Sequence, residues 1–388
     1  MTKHYPIAII GGGLGGLTTA RVLHTKGIES AIFELEPHRE SRVQGGMLDI
    51  HDYNGQKAIQ AAELMEEFTS IIHEGGEATR VLDHLGTVYI DERDDGSFAR
   101  PEVDRGDLRN MLIDSLPDGA IHWGYKVVAV RSVPSQSNLH EVVFANGETI
   151  TTNLLIGADG AWSKVRPLLS AARPEYVGVS FLEADLHDGV HKHTLEAAAM
   201  GSGMLFAFKD TTGILGHLET DGTLHVYVGL RCPEEWVDTV DFTDDARAKK
   251  TVLSLLDGWD ESLRGFVANA DTPLTPRRIH ALPIGLHWDR VPGVTLLGDA
   301  AHVMSPFAGE GANLAMFDAA ELALAIAAHP GDTEAALLAY EAELFPRSAE
   351  SANDSAQSLD LLFQKGSPRP LVNFFQSVSL ATEAIDVH

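Results

Sequence analysis

The chain has 388 residues, too many for one small hydrophobic core, and its 44% apolar and 22% charged content is that of folded rather than disordered material. A formal net charge of −27 excludes nucleic acid and anionic membranes as natural partners, because both need clustered cations. The one cysteine, Cys232, excludes an internal disulfide and a multi-cysteine metal centre; a soluble, cytoplasmic protein is the expectation.

In chain order, residues 5–10 read as a short buried strand. Its apolar run, Ile7-Ala8-Ile9-Ile10, is too short for a secretory signal and breaks into glycines, and no run is expected to reach the roughly 18 to 20 apolar residues of a membrane span. Gly11-Gly12-Gly13-Leu14-Gly15-Gly16 follows, then a helix carrying Leu17, Ala20, Val22 and Leu23 that ends at Gly27. A second strand over 30–33 ends at Glu34. This βαβ start is a dinucleotide-binding pattern. Gly11 makes the tight turn, Gly13 lets the backbone approach a pyrophosphate, and Gly16 lets the helix pack on the strand. Glu34, about 20 residues beyond, is placed to accept hydrogen bonds from a ribose.

Runs at 127–130 and 142–144, with the turn Asn146-Gly147, predict a small antiparallel excursion. Leu154-Leu155-Ile156 returns to a buried strand and leads into Gly157-Ala158-Asp159-Gly160, with Ser163 and Arg166 just beyond. From 174 to about 271 the texture changes. Alternation such as Leu224-His225-Val226-Tyr227-Val228 predicts a mostly antiparallel sheet with one face toward a ligand or core. Val294 to Leu297 is a further buried strand, and the segment Gly298 to Asn313, GDAAHVMSPFAGEGAN, puts Asp299 at its end and a helix start near Ala312. A carboxylate on a rigid post, a Pro/Gly loop and a helix N-terminus together can hold a polyol, a ring and an anion. A helical tail follows, with Leu337, Leu338, Tyr340 and Leu344 on one face.

These elements predict an α/β fold. A discontinuous Rossmann-like domain takes residues 1–172 and 276–325, with a parallel sheet and the antiparallel excursion. A substrate-binding domain on a mostly antiparallel sheet, 173–275, is inserted in it, and a C-terminal helical segment, 326–388, braces both.

Three motifs in this order, GGGLGG with Glu34, GADG with Ser163 and Arg166, and GDAAHVMSPFAGEGAN, resemble the single-component (group A) FAD-dependent aromatic hydroxylases. Within that group the chain is most similar to the tetracycline destructases, FAD monooxygenases that inactivate the antibiotic. Further matches are RVQGGMLD at 42–49, PEVDRGDLR at 101–109, Leu224-His225 and Pro233 to Trp236, so the resemblance spans roughly residues 5 to 365. It implies an NAD(P)H-dependent monooxygenase with FAD as cofactor, NADPH or NADH as reductant and O2 as co-substrate. The substrate would be a small aromatic or enolic compound: a tetracycline-like antibiotic, another polyketide or a phenol. A monomer is implied, with no nucleic acid, membrane or metal.

Carried over by position, the resemblance implies that Asp299 bonds the ribityl chain and that Arg105 and Asp49 contact FAD. Arg42 would meet the nicotinamide, and the backbone of Gly309, Gly311, Ala312 and Asn313 would face the pyrimidine edge of the flavin. Asp159 belongs to a fingerprint used for both FAD and NADPH, and Pro306 and Phe307 shape the pocket wall. No catalytic triad is expected, since the flavin does the hard chemistry by activating O2 at C4a; His302 is read as structural. Glu310 stands where a glutamine is usual; a carboxylate there either alters the flavin's potential or points to solvent, and solvent is the expectation. Glu183 falls near a substrate-binding glutamine of the destructases, and no arginine occurs between Pro174 and Leu230, where that family has one that binds the drug. His225 lies in the matching sheet stretch and is, with Glu183, the substrate-contact candidate. His187, His191 and His193 fit no zinc spacing and read as a solvated loop. A flavin halogenase is excluded by the lack of a W-x-W pair. A flavoprotein reductase and a protein that sequesters a drug or flavin without turnover are the other readings.

Overall fold

The strand Lys3–Ile10 passes from an exposed start into four buried residues, Ile7 to Ile10, and forms the centre of the first sheet. The computed structural model describes residues 2–41, 46–73, 75–94, 96–133 and 138–376. Lys3–Ile10 pairs in parallel with Ala31–Glu34 on one side and Thr149–Gly157 on the other. Ile121–Trp123 and Val294–Leu296 extend the parallel set outward on the two sides. His140–Phe144 adds the antiparallel excursion, pairing with the first half of Thr149–Gly157, and Val127–Ser132 pairs in turn with His140–Phe144. The fold class is the α/β arrangement that the apolar runs predict.

Register decides what the sheet presents. Ile10 lies opposite both Phe33 and Gly157, and Gly157 lies opposite Leu296. The residues that follow these positions, at 11, 34, 158 and 297, therefore line up along one edge, the carboxyl ends of a parallel sheet, where α/β folds bind ligands.

The helix Leu14–Thr25 buries Leu17, Ala20, Val22 and Leu23. It lies against the helix Glu310–Ala328 closely enough that a Cβ on Gly15 would sit 2.9 Å from the Ala315 carbonyl oxygen. That second helix corrects the expectation that no segment is apolar enough for a membrane: over its 19 residues it is long and apolar enough by composition. Its Met316, Ala319, Ala320, Leu322 and Ala323 belong to the first hydrophobic core, which is the reason for that composition.

The chain divides into two units, residues 1–72, 103–175 and 280–356, and residues 73–102, 176–279 and 357–388. This differs from the boundaries expected from sequence. Thr79–Asp83 pairs in parallel with Met204–Phe208, so the segment that follows residue 72 joins the second sheet. Most of the helix Thr333–Leu362 clusters with the first unit because Leu337, Tyr340 and Leu344 enter its core.

The second sheet runs Thr275–Ala281, Glu175–Leu186, Leu224–Arg231, Thr212–Leu218, Met204–Lys209, Thr79–Asp83, Val88–Glu92 in spatial order. Leu182, Ala184, Val226, Val228 and Ile214 form a core with residues of the helices Asp245–Leu255 and Glu261–Ala268. The alternate positions Glu183, Asp185, His217, His225 and Tyr227 take the opposite face, as the period-two pattern requires.

A Cβ on Gly16 would lie 2.0 Å from the Gly11 carbonyl oxygen, whereas one on Gly13 would meet nothing within 4 Å. Gly16→Ala is therefore expected to destabilise the flavin-free protein by about 1 to 3 kcal/mol. Gly13→Ala is expected to stay within about 0.5 kcal/mol. Urea unfolding measures both, and equal midpoints for the two variants would refute the packing role of Gly16.

Candidate functional site

The glycine loop is fixed by contact. A Cβ at Gly11, whose φ is +108°, would lie 2.3 Å from the Ala158 carbonyl oxygen, so only glycine lets the first strand meet the GADG loop this closely. Gly13 caps the helix Leu14–Thr25 with no side-chain hydrogen bond, leaving the first N–H groups of the helix without a side-chain acceptor. Glu34 is buried at the end of its strand. It accepts hydrogen bonds from the N–H groups of Gly12 and Glu36, and each carboxylate oxygen keeps a further lone pair.

Arg109, for which sequence reading found no role, holds this loop in place. It donates to the carbonyl oxygens of Gly12 (3.3 Å) and Arg39 (3.1 Å) and to Glu36 Oε2 (3.2 Å), and is 4% exposed. The signal was present in the helix Arg105–Asp114, where Arg109 falls on the buried stripe of Leu108 and Leu112. A charged residue on an apolar stripe marks a partnered site.

Asp159 accepts from the Ser163 hydroxyl and the Lys164 N–H, both at 2.6 Å, while burial raises its pKa. Arg166 does not pair with it directly. Its guanidinium donates to the carbonyl oxygens of Ala161, Ala172 and Ala300, tying the GADG loop to the segment after Val294–Leu296.

Asp299 opens that segment. Its carboxylate makes no side-chain hydrogen bond among the described residues and reaches accessible space that is itself enclosed by protein. Enclosure raises its pKa, and the charges of His302 and Arg105 pull the other way, so Arg105 shares this cleft with it. His302 turns inward instead. Its Nε2 meets Asp318 Oδ2 at 2.6 Å, Asp318 Oδ1 accepts from Arg347 at 2.9 Å, and the Gly298 N–H donates to Asp318 at 3.1 Å. Burial disfavours both charges, yet the pairing raises the pKa of His302 and lowers that of Asp318. The buried ion pair anchors the Gly298-Asp299 turn.

Glu310 corrects an expectation. Its side chain is 12% exposed and is not directed to solvent. Tyr53 donates its hydroxyl to Glu310 Oε1, Asn54 Nδ2 donates to Oε2 at 2.7 Å, and His51 Nδ1 lies 3.4 Å from Oε1. On its other side His51 Nε2 meets Asp49 Oδ2 at 2.9 Å. Burial would lower the His51 pKa, but Asp49 and Glu310 outweigh it and raise it to about 9. Burial likewise opposes the Glu310 charge, and His51, Tyr53 and Asn54 overcome it and lower its pKa. Asn313 completes the arrangement, accepting from the His51 N–H (2.9 Å) and donating to the carbonyl oxygens of Asp49 (2.8 Å) and Gly309 (3.1 Å). Gly311 and Ala312 lie in the first turn of the helix Glu310–Ala328, and a Cβ on Gly311 would meet nothing within 4 Å. Pro306 and Phe307 form the short turn just before it. Arg42 lies outside the described residues.

In the second unit, Glu183 is held by Arg277 at 2.9 Å. His225 Nδ1 meets Asp185 Oδ1 at 2.5 Å, and its ring lies 4.6 Å from that of Tyr227 and 5.4 Å from that of His217. Its Nε2 has no hydrogen-bond partner among the described residues. Asp185 raises the His225 pKa against the effect of burial. His191 pairs with Asp188 and His193 with Asp271, while His187 lies near Thr223. Among the described residues no three such side chains are placed to hold a metal ion.

The strand ends thus bring together Gly11, Gly13, Gly16, Glu34, Asp159 and Asp299. Arg105 joins them through Asp299, and Asp49 and Asn313 form a linked group at the helix start. Glu183 and His225 stand on the second sheet. The FAD binding domain family matches residues 119–355. The monooxygenase penA of Penicillium thymicola is 28% identical over 432 aligned positions, covering 97% of this chain and 99% of its own. HpxO of Klebsiella pneumoniae, solved with FAD and uric acid, shares the fold with a TM-score of 0.78 at 21% identity over 96% of this chain and 92% of its own. Tetracycline destructase Tet(51) shares it at 0.70 and 20% identity over 96% and 94%. The chain belongs to the FAD binding domain family, and it is a FAD-dependent monooxygenase of the aromatic hydroxylase type.

Proposed function

We propose that the protein hydroxylates a small phenol, enol or polyketide, using NADPH or NADH and O2. The observation that carries the reading is the Asp299 carboxylate, without a side-chain hydrogen bond in an enclosed space at the carboxyl edge of the parallel sheet. A polyol matches that acceptor. The open space over Gly13 and Gly311 matches a pyrophosphate and a flat ring at two helix starts, so the residues present fit FAD.

In this reading the free lone pairs of Glu34 accept from the adenosine ribose, and Gly13 and the N–H groups after it face the pyrophosphate. Asp299 accepts from the ribityl hydroxyls with Arg105 beside it, Asp49 borders the ring, and Asp159 lines the same edge. Gly309, Gly311, Ala312 and Asn313 present backbone and helix dipole to the pyrimidine edge, which becomes negative on reduction. Pro306 and Phe307 wall the ring from water. Arg42 is assigned to the nicotinamide. Bound FAD supplies the oxygen activation.

On the second sheet His225 is the substrate contact. Asp185 fixes its Nδ1 and sustains the imidazolium, so its Nε2–H is free to donate to an enolate or phenolate oxygen. Glu183, charge-paired with Arg277, borders the same face. A tetracycline is one polycyclic enol that such a donor suits, and turnover would then inactivate the antibiotic.

Purified protein with FAD, NADPH and a panel of simple phenols, cyclic diketone enols and a tetracycline should consume NADPH and yield a product heavier by one oxygen atom. Stoichiometric protection of the drug without NADPH consumption would instead mark a sequestering protein, and failure to bind FAD would sink the reading altogether. Asp299→Ala should weaken FAD binding by about 10- to 100-fold, the loss of charge-assisted hydrogen bonds; an unchanged Kd removes Asp299 from the site.

The His225 shift sets a pH window. A raised pKa carries the imidazolium to higher pH than in a free histidine and surrenders it as pH rises further. KM for an acidic enol should therefore climb on the alkaline side, and His225→Asn should abolish that limb. An unaltered profile in the variant assigns the limb to another group.

A further inference from the structure

Glu310 is a carboxylate at the first position of the helix Glu310–Ala328, where a neutral amide would leave the positive helix end unopposed. Three donors from one short segment are turned onto it: the Tyr53 hydroxyl, the Asn54 amide and the His51 ring. His51 is itself shared with Asp49, and Tyr53 also meets His51 Nδ1 at 2.7 Å. Asn313, on the same helix, joins the backbones of Asp49, His51 and Gly309. These five side chains and Asn313 form one connected unit, so Glu310 cannot swing to solvent without breaking several hydrogen bonds at once.

The charge count follows from the pairing. Burial disfavours a lone carboxylate or imidazolium, but the pairing raises the His51 pKa and lowers that of Glu310, so the cluster sets two carboxylates, Asp49 and Glu310, against one imidazolium. A neutral side chain at 310 would leave Asp49 and His51 balanced. The unit therefore places one extra negative charge beside the helix end that would face a reduced, negative ring.

We propose that Glu310, held by Tyr53, Asn54 and His51, lowers the reduction potential of the bound flavin by partly cancelling the helix-end field. The proposal rests on the reading that the ring lies over residues 309–313. Glu310 is a positioning and tuning residue, acting on the ring through charge alone.

The test is the midpoint potential of FAD on reconstituted protein, taken anaerobically against reference dyes at about pH 8, where unpaired carboxylates stay ionised. Glu310→Gln should favour reduced over oxidised FAD by about tenfold relative to the parent, a rise of about 30 mV for the two-electron couple. His51→Gln, which removes the compensating cation, should shift the potential downward. Opposite signs are the signature of charge, because loosened packing would move both variants the same way. Shifts of the same sign, or no shift in Glu310→Gln, overturn the proposal, and if one variant fails to retain FAD the sign of the other decides. If the parent itself takes up no FAD, the proposed function fails; if it binds FAD and the potentials do not move as stated, only this inference fails.

Discussion

The alignment of three parallel strands governs everything else in the first unit. Ile10, Gly157 and Leu296 stand side by side although the segments they end are separated by most of the chain. Because side chains alternate along a strand, a slip of one residue in either pairing would turn buried faces outward and move one motif away from the other two. The spacing is also tight. A Cβ on Gly157 would lie 2.6 Å from Leu296 Cδ2 and 2.8 Å from Val165 Cβ, so small residues at these strand ends are demanded by the sheet before any ligand is considered.

Against that frame the charges sort themselves. The protein is strongly acidic, yet its buried carboxylates have named partners. Glu341 accepts from Arg290 at 2.5 Å, Thr295 at 2.8 Å and Trp288 at 3.1 Å; Asp318 is shared by His302 and Arg347; Glu36 is met by Arg109. Pairing of this kind is what makes ionised groups tolerable inside a protein. Asp299 differs from these. Its carboxylate reaches accessible space where the strand register converges, and it has no side-chain hydrogen bond among the described residues. A carboxylate left open at the carboxyl edge of the sheet, with its pKa raised by its surroundings, is where a functional group is to be sought.

What the sequence disclosed, and what it hid, divides along physical lines. The glycine loop, Glu34, the GADG turn and Asp299 were legible because each is tied to a strand end and to a backbone shape that few residues adopt. The clamp Arg166 was not, because its partners are carbonyl oxygens scattered from residue 161 to residue 300, and Arg109 showed only its place on a buried stripe, with nothing to name Gly12, Arg39 and Glu36 as its partners. The unit boundary near residue 72 was missed for a related reason. Thr79–Asp83 is a short strand whose partner, Met204–Phe208, lies over a hundred residues onward in parallel. The partner of Glu183 was hidden in the same way, since Arg277 lies 94 residues onward, on Thr275–Ala281, the neighbouring strand in space.

Glu310 shows the same lesson at the scale of one side chain. Taken alone, a carboxylate in place of an amide next to two glycines is most simply solvated, since an isolated charge is costly to bury. That argument assumes the surroundings stay fixed. Here residues 51 to 54 supply an imidazole, a phenol and an amide, all facing position 310, and these reverse the sign of the expectation. A substitution at a helix start must therefore be weighed with the donors that the fold brings to it. Those donors lie in a loop more than 250 residues earlier in the chain, and Asn313 helps tie the two segments together.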